Sequence, residues 1–186
     1  MNIKKSDKWD EVLRVIDRNG KWTGKYINRK EASERRNIYF NTAFVWIYDR
    51  KKDKVLLEKR SLNKKYNPGK LGLVGGHVTN DEVPIKTAII ETKEEINLDI
   101  SNEKIYFIGV AKPDGVYKSF AYQFLVFANP SIKLLKIQEA EVEKLIYVSY
   151  KKIYNDVVNG SDNYSLTYPR FKNIFKKINY ILKKPS

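Results

Sequence analysis

The sequence predicts an α/β fold, an α/β/α sandwich in which a mixed β-sheet carries helices on both faces. Three observations predict it. A short apolar run, Leu71 to Val74, leads through Gly75 and Gly76 into an acidic helix between Pro84 and Asn97. Strand-like runs rich in β-branched and aromatic residues lie before and after that unit. A basic amphipathic stretch, 169–183, follows the last of them and supplies a helix for the opposite face.

The elements follow in chain order. Residues 11–16 and 22–27 flank Asn19-Gly20, a dipeptide suited to the left-handed conformations of a tight hairpin. A short helix is expected over 29–36. Residues 38–48 form a strand that ends in the charged turn Asp49 to Lys54, and 54–60 return as its partner. The polar segment 61–70 is a loop. After the acidic helix, 104–111 and 117–128 read as strands around the turn Pro113-Asp114-Gly115. Residues 142–148 form a further strand, 149–158 a helix, and 169–183 the terminal basic helix. No internal repeat or linker divides the chain, so 1–186 is expected to be a single domain.

The acidic helix carries the chemistry. At about 100° per residue, Ile85, Ala88, Ile89, Thr92 and Ile96 share one arc, which reads as the core face. Glu91, Glu94 and Glu95 share a second arc, while Lys86 and Lys93 lie on a third side. Glu91 and Glu95 form an i,i+4 like-charge pair, unfavourable by about 0.2–0.5 kcal/mol unless something neutralises it. A solvated acidic edge would accept that cost. A divalent cation would remove it, and Mg2+ suits such a place because it takes one or two carboxylates together with phosphate oxygens and waters. The paired glycines let the backbone bend and approach a ligand. Asp81 and Glu82 stand at the helix entrance, where negative charge suits the dipole, and Asn97 closes the helix as an αL residue.

These residues resemble the signature of the Nudix hydrolases: Gly, five residues, Glu, seven residues, then Arg-Glu-apolar-x-Glu-Glu-x-Gly-apolar. Gly76, Glu82, Glu91, Glu94, Glu95 and Leu98 match in register. Ile90 stands where the family has arginine, Thr92 where it has an apolar residue, and Asn97 where it has glycine. Outside this box, 76–98, the segments 16–25, 43–49, 56–61, 67–78 and 138–149 resemble the isopentenyl diphosphate isomerase-like branch. The resemblance implies a Nudix fold and metal-dependent hydrolysis of a diphosphate linkage, in a nucleoside diphosphate derivative or similar phosphorylated small molecule. It implies Mg2+, with Mn2+ as the alternative ion. Glu91, Glu94 and Glu95 would be metal-binding and catalytic, Gly76 would face the metal through its backbone, and Glu82 would support them. Lys59 and Arg60 end a strand beside the site in this fold and are candidates for substrate phosphate. Glu139 and Glu141 are candidate extra bases, read instead as a solvated loop. Tyr66, Tyr117, Phe120 and Tyr122 are read as core or edge packing, with base stacking as the alternative.

Isomerase chemistry is not expected. The isomerases use a cysteine and several histidine ligands, whereas this chain has no cysteine and a lone histidine, His77, read as a surface residue at a turn. Ser33 and Phe40 stand in segments where relatives show histidine. A non-catalytic module binding nucleotide or RNA remains the alternative function, supported by Ile90.

Composition sets the remaining bounds. At 186 residues and 42% hydrophobic, the chain is long enough and apolar enough for a core. The N-terminal residues show no apolar leader and no run is long enough to span a bilayer, so a cytoplasmic protein without membrane contact is expected. The formal charge is +14. Its excess sits in the two ends, with eleven basic and six acidic residues in 1–36 and eight basic and two acidic in 151–186. That pattern suits steering of an anionic substrate or contact with nucleic acid, but lysine-rich composition explains it as well, and nucleic acid is not favoured.

Overall fold

The computed structural model describes residues 8–35 and 37–184. Arg36, at the end of the expected first helix, and most of the N-terminal segment read as lacking a leader lie outside them. The elements are β1 (Val12–Ile16), β2 (Trp22–Asn28), α1 (Arg29–Glu34), β3 (Phe40–Asp49), β4 (Lys54–Arg60), β5 (Leu71–Gly72), β6 (Val74–His77), α2 (Pro84–Ile96), β7 (Tyr106–Ala111), β8 (Ser119–Phe127), β9 (Val142–Ser149), α3 (Tyr150–Val158) and α4 (Tyr168–Leu182).

β1 and β2 pair as a hairpin, and seven strands form the main sheet in the order β5-β4-β3-β8-β7, with β6 also on β3 and β9 also on β4. β3 and β8 run parallel while the other pairs are antiparallel, so the sheet is mixed as expected. A parallel pair needs a long crossover. Here that crossover contains α2, which lies on one face of the sheet.

The two faces follow from alternation along β3. Ala43, Val45 and Ile47 point to the α2 side, where Val74, Ala88 and Ile96 pack on them. Trp46 and Tyr48 point the other way and pack with Ile153 of α3 and Phe171 and Phe175 of α4. The resulting helix–sheet–helix layering is the predicted sandwich.

Three details depart from the sequence reading. Gly75 and Gly76 do not form a turn after a strand; they lie inside β6, opposite Phe44 and Ala43 of β3. Their lack of side chains serves close packing. A Cβ on Gly75, whose φ is +148°, would stand 2.0 Å from the Ala43 carbonyl oxygen. On α2, Ile85 is exposed and Thr87 is buried instead, its hydroxyl donating to Glu82 Oε2 at 3.0 Å. Glu95 belongs to the buried face as well, 5% exposed, so the core and acidic arcs overlap. Asn97 does close the helix at φ 55°, its N–H donating to the Lys93 carbonyl and that of Leu98 to the Thr92 carbonyl.

Candidate active site

α2 presses its carboxylates against the glycine strand. Ala88, Thr92 and Ile96 recur at four-residue spacing and seat the helix on the sheet. The same side of the helix then carries Glu91 and Glu95 down onto β6. The Gly75 N–H donates to Glu95 Oε2 at 3.0 Å. Glu91 fills the space a side chain at position 76 would need, since a Cβ there would lie 2.4 Å from Glu91 Oε1. Glu94 points to the rim, where Lys8 Nζ donates to its Oε2 at 2.7 Å.

Other elements bring further acids to the same place. A cavity of about 90 Å³ is lined by Glu91, Glu95 and Gly76 together with Glu11 and Glu141. Glu141 is buried and ion-paired with the equally buried Lys64. Glu11 meets Arg29 at 2.8 Å and stands 3.8 Å from His77 Nδ1. Glu58, on β4, is 1% exposed; Arg60 donates to its Oε1 at 3.1 Å, and its Oε2 has no partner among the described residues.

This crowding is visible in the titration of the acids. Burial pushes Glu91 up to about 7, with Glu11, Glu94 and Glu141 adding to it and Lys8 opposing. Burial, then Glu58 and Glu91, hold Glu95 well above the ordinary carboxylate range. Burial raises Glu58 to about 7 against the pull of Arg60. Burial and the cations Arg29, Lys64 and Arg60 push the His77 imidazole well below its ordinary range. Each carboxylate is therefore short of positive charge in its own surroundings.

That shortage is what a divalent cation would relieve, and the unpartnered Glu58 oxygen points the same way. Among the described residues, no group of three or more His, Asp or Glu side chains is arranged to hold a metal ion by itself. Mg2+ does not need one, because substrate phosphate and water complete its shell. The donor set is all oxygen, which suits Mg2+ or Mn2+.

A larger chamber of about 210 Å³ opens beside the acidic cavity and shares Arg29, Thr42, Phe44, Arg60 and His77 with it. Its walls include the aromatic side chains of Trp9, Phe40, Tyr66, Tyr117 and Phe171. Its size and apolar lining suit the organic part of a small ligand.

The expected residues thus divide. Glu91, Glu95, Gly76 and Arg60 come together; Glu94 borders the site; Glu82 braces the start of α2 through Thr87. Lys59 lines neither cavity and pairs with Glu143 at 2.8 Å. Glu139 is exposed, as read, but Glu141 is buried in the site rather than solvated. His77 is a strand residue between the two cavities, stacked 5.2 Å from Phe40, not a surface turn residue. Tyr66 and Tyr117 line the chamber, whereas Phe120 is buried and Tyr122 packs against Phe107. Glu11, Arg29 and Lys64 carry no local signal. Only Glu58 was within reach of pattern, as a carboxylate at a core-phase position of an apolar strand.

The NUDIX domain profile matches residues 39–168. The chain belongs to the NUDIX family. No curated protein matches it. Among solved structures, a Deinococcus radiodurans protein superposes with a TM-score of 0.71 at 15% identity, covering 89% of this chain and 98% of the other. A MutT NUDIX hydrolase from Burkholderia pseudomallei gives a TM-score of 0.54 at 19% identity over 72% of this chain and 94% of its own. A bifunctional NMN adenylyltransferase/ADP-ribose pyrophosphatase from Francisella tularensis, complexed with AMP and a manganese ion, gives 0.52 at 18% identity, covering 77% of this chain and 42% of that one. Family membership makes the protein a NUDIX hydrolase, with pyrophosphate hydrolysis as its general chemistry. Among the described residues no helix is long and apolar enough to cross a membrane.

Proposed function

We propose that this NUDIX hydrolase cleaves a diphosphate linkage in a nucleoside diphosphate derivative or similar phosphorylated small molecule, using Mg2+ or Mn2+. The observation that carries the reading is the meeting of two surfaces: half-buried Glu91 and buried Glu95 against the Gly75-Gly76 strand, and a chamber with aromatic walls joined to them through Arg29 and Arg60. AMP and manganese in the Francisella relative support a nucleotide ligand and a divalent ion.

Glu91 and Glu95, with the Gly76 backbone and Glu94 at the rim, would hold the ion. When bound, it supplies charge neutralisation at phosphoryl oxygens and a lowered water pKa. The chain's own residues do the rest. Arg60 directs a guanidinium at the boundary of the two cavities, where it offers paired donors to phosphate oxygens. Glu141, fixed by Lys64, stands where a carboxylate can accept a proton from water. The aromatic walls exclude water and fix the organic group, so that positioning and electrostatics lower the barrier.

The test is phosphate or nucleotide release from a panel of diphosphate-linked compounds with Mg2+, Mn2+ or EDTA, alongside Glu95→Gln and Glu94→Gln. Metal-dependent turnover that falls by roughly 100-fold or more in Glu95→Gln, in a variant that still folds, is expected. Full activity in Glu95→Gln with unchanged metal dependence would refute the assignment. Ile90, in place of the family arginine, favours one second reading, a binding module; metal-independent nucleotide or RNA binding without turnover would establish it.

A further inference from the structure

Charge is segregated along the continuous cleft. The inner end holds the carboxylates. The residues lining the chamber include no Asp or Glu among those described, yet they include Lys118 and Arg170. Lys118, just before β8, donates to the carbonyls of Ala32 at 3.3 Å, Ser33 at 3.4 Å, and Arg35. Arg170, in the first turn of α4, donates from Nε to the Lys112 carbonyl at 3.0 Å and from Nη2 to the Ser119 carbonyl at 2.6 Å and Ser119 Oγ at 3.0 Å. Its guanidinium lies 4.7 Å over the Tyr117 ring.

All of those acceptors are neutral. Among the described residues neither cation forms an ion pair with a carboxylate, and Arg170 Nη1 makes no hydrogen bond. Asp114 acts on Arg170 through space only, and burial pushes the guanidinium below its usual range. Two cations partly removed from water, held in place by carbonyls and with no carboxylate in contact, favour an anion that joins them. Pre-held donors are also what binds an anion well. Arg170 falls just outside residues 39–168, the segment that the family profile matches, whereas Lys118 falls within it.

We propose that the end of the chamber away from the carboxylates binds a second anionic group, a phosphomonoester or carboxylate, on the organic half of the substrate, through Arg170 and Lys118. The inference rests on the hydrolase reading and narrows it to diphosphates whose organic substituent is itself charged.

Matched probes test it: NADPH against NADH and coenzyme A against its dephospho form for a phosphomonoester, and UDP-glucuronate against UDP-glucose for a carboxylate. A charge-assisted hydrogen bond corresponds to roughly a 10-fold to 100-fold preference. The wild type is expected to favour the charged member of at least one pair by about that factor in kcat/KM, and Lys118→Gln and Arg170→Gln to bring the ratio close to one. Arg170 also anchors α4, so Lys118→Gln decides if Arg170→Gln fails to fold. Turnover with no preference in any pair, or a preference untouched by Lys118→Gln, overturns the inference and leaves the hydrolase reading standing. If none of these probes is turned over, the hydrolase reading is decided by the wider panel of diphosphate-linked compounds. Calorimetric Kd values for the same pairs then decide the inference: tighter binding of the charged member upholds it and equal binding overturns it.

Discussion

Replacing Gly76 by alanine separates catalysis from folding. Its φ is not in the left-handed region, so alanine can adopt the backbone. The new Cβ would lie 2.4 Å from Glu91 Oε1 and 2.5 Å from its Cδ. Non-bonded contact needs about 3.5 Å, so the carboxylate must retreat by roughly 1 Å. It can do so because it ends a flexible side chain facing a cavity, not backbone. A misplacement of about 1 Å at a reacting centre costs on the order of 100-fold in rate, or about 2.7 kcal/mol of transition-state stabilisation. The expected result is kcat/KM down by roughly 100-fold with the Tm lowered by only a few degrees. Gly75→Ala is the control. There the Cβ meets the Ala43 carbonyl at 2.0 Å with φ at +148°, so that variant loses stability as a whole. Steady-state kinetics on the best diphosphate and thermal unfolding of both variants settle the matter. Activity of Gly76→Ala within about threefold of wild type, or unfolding as severe as that of Gly75→Ala, would refute the claim that Glu91 is positioned by the bare strand.

Three further outcomes follow from the site. Lys64→Met leaves Glu141 buried without its main counter-charge, so urea unfolding is expected to show a loss of about 3–5 kcal/mol. Arg60→Ala raises KM by roughly tenfold or more, whereas Lys59→Ala leaves it unchanged because Lys59 is spent on Glu143 outside the cavities; initial-rate kinetics distinguish them. Glu91 and Glu58 are raised to about 7, so between the ordinary carboxylate value and 7 the folded metal-free protein holds more protons than the unfolded chain. Stability in EDTA therefore falls as pH rises through that window, and saturating Mg2+ flattens the trend; a Tm against pH series with and without metal checks the sign.

The fold was largely legible because hydrophobic alternation and turn residues are local signals. Asn19-Gly20, Pro113-Asp114-Gly115 and Asn97 marked their bends, and the apolar runs 38–48 and 117–128 marked two central strands, with ends displaced by a residue or two. The helical wheel of α2 was less reliable. It assumes that charge avoids the core, and Glu95 enters it because the Gly75 N–H is there to receive it. The box glutamates were readable from their spacing. Glu11, Arg29 and Lys64 were not, since each depends on a partner far along the chain. Glu141 and His77 read as solvated from sequence, because burial of a polar residue is a property of the assembled sheet rather than of its neighbours in sequence.

The acids of the inner cavity come from three segments, with Glu91 and Glu95 on α2 and Glu11 and Glu141 joining them only through long-range closure. The repulsion of Glu11 and Glu141 against the α2 pair therefore needs the assembled sheet. A divalent ion that binds this cluster acts on the finished protein and hardly on the species that precede it. It then lengthens the lifetime of the native chain without hastening its formation, so the same ion that serves turnover also sets how long each molecule lasts against proteases.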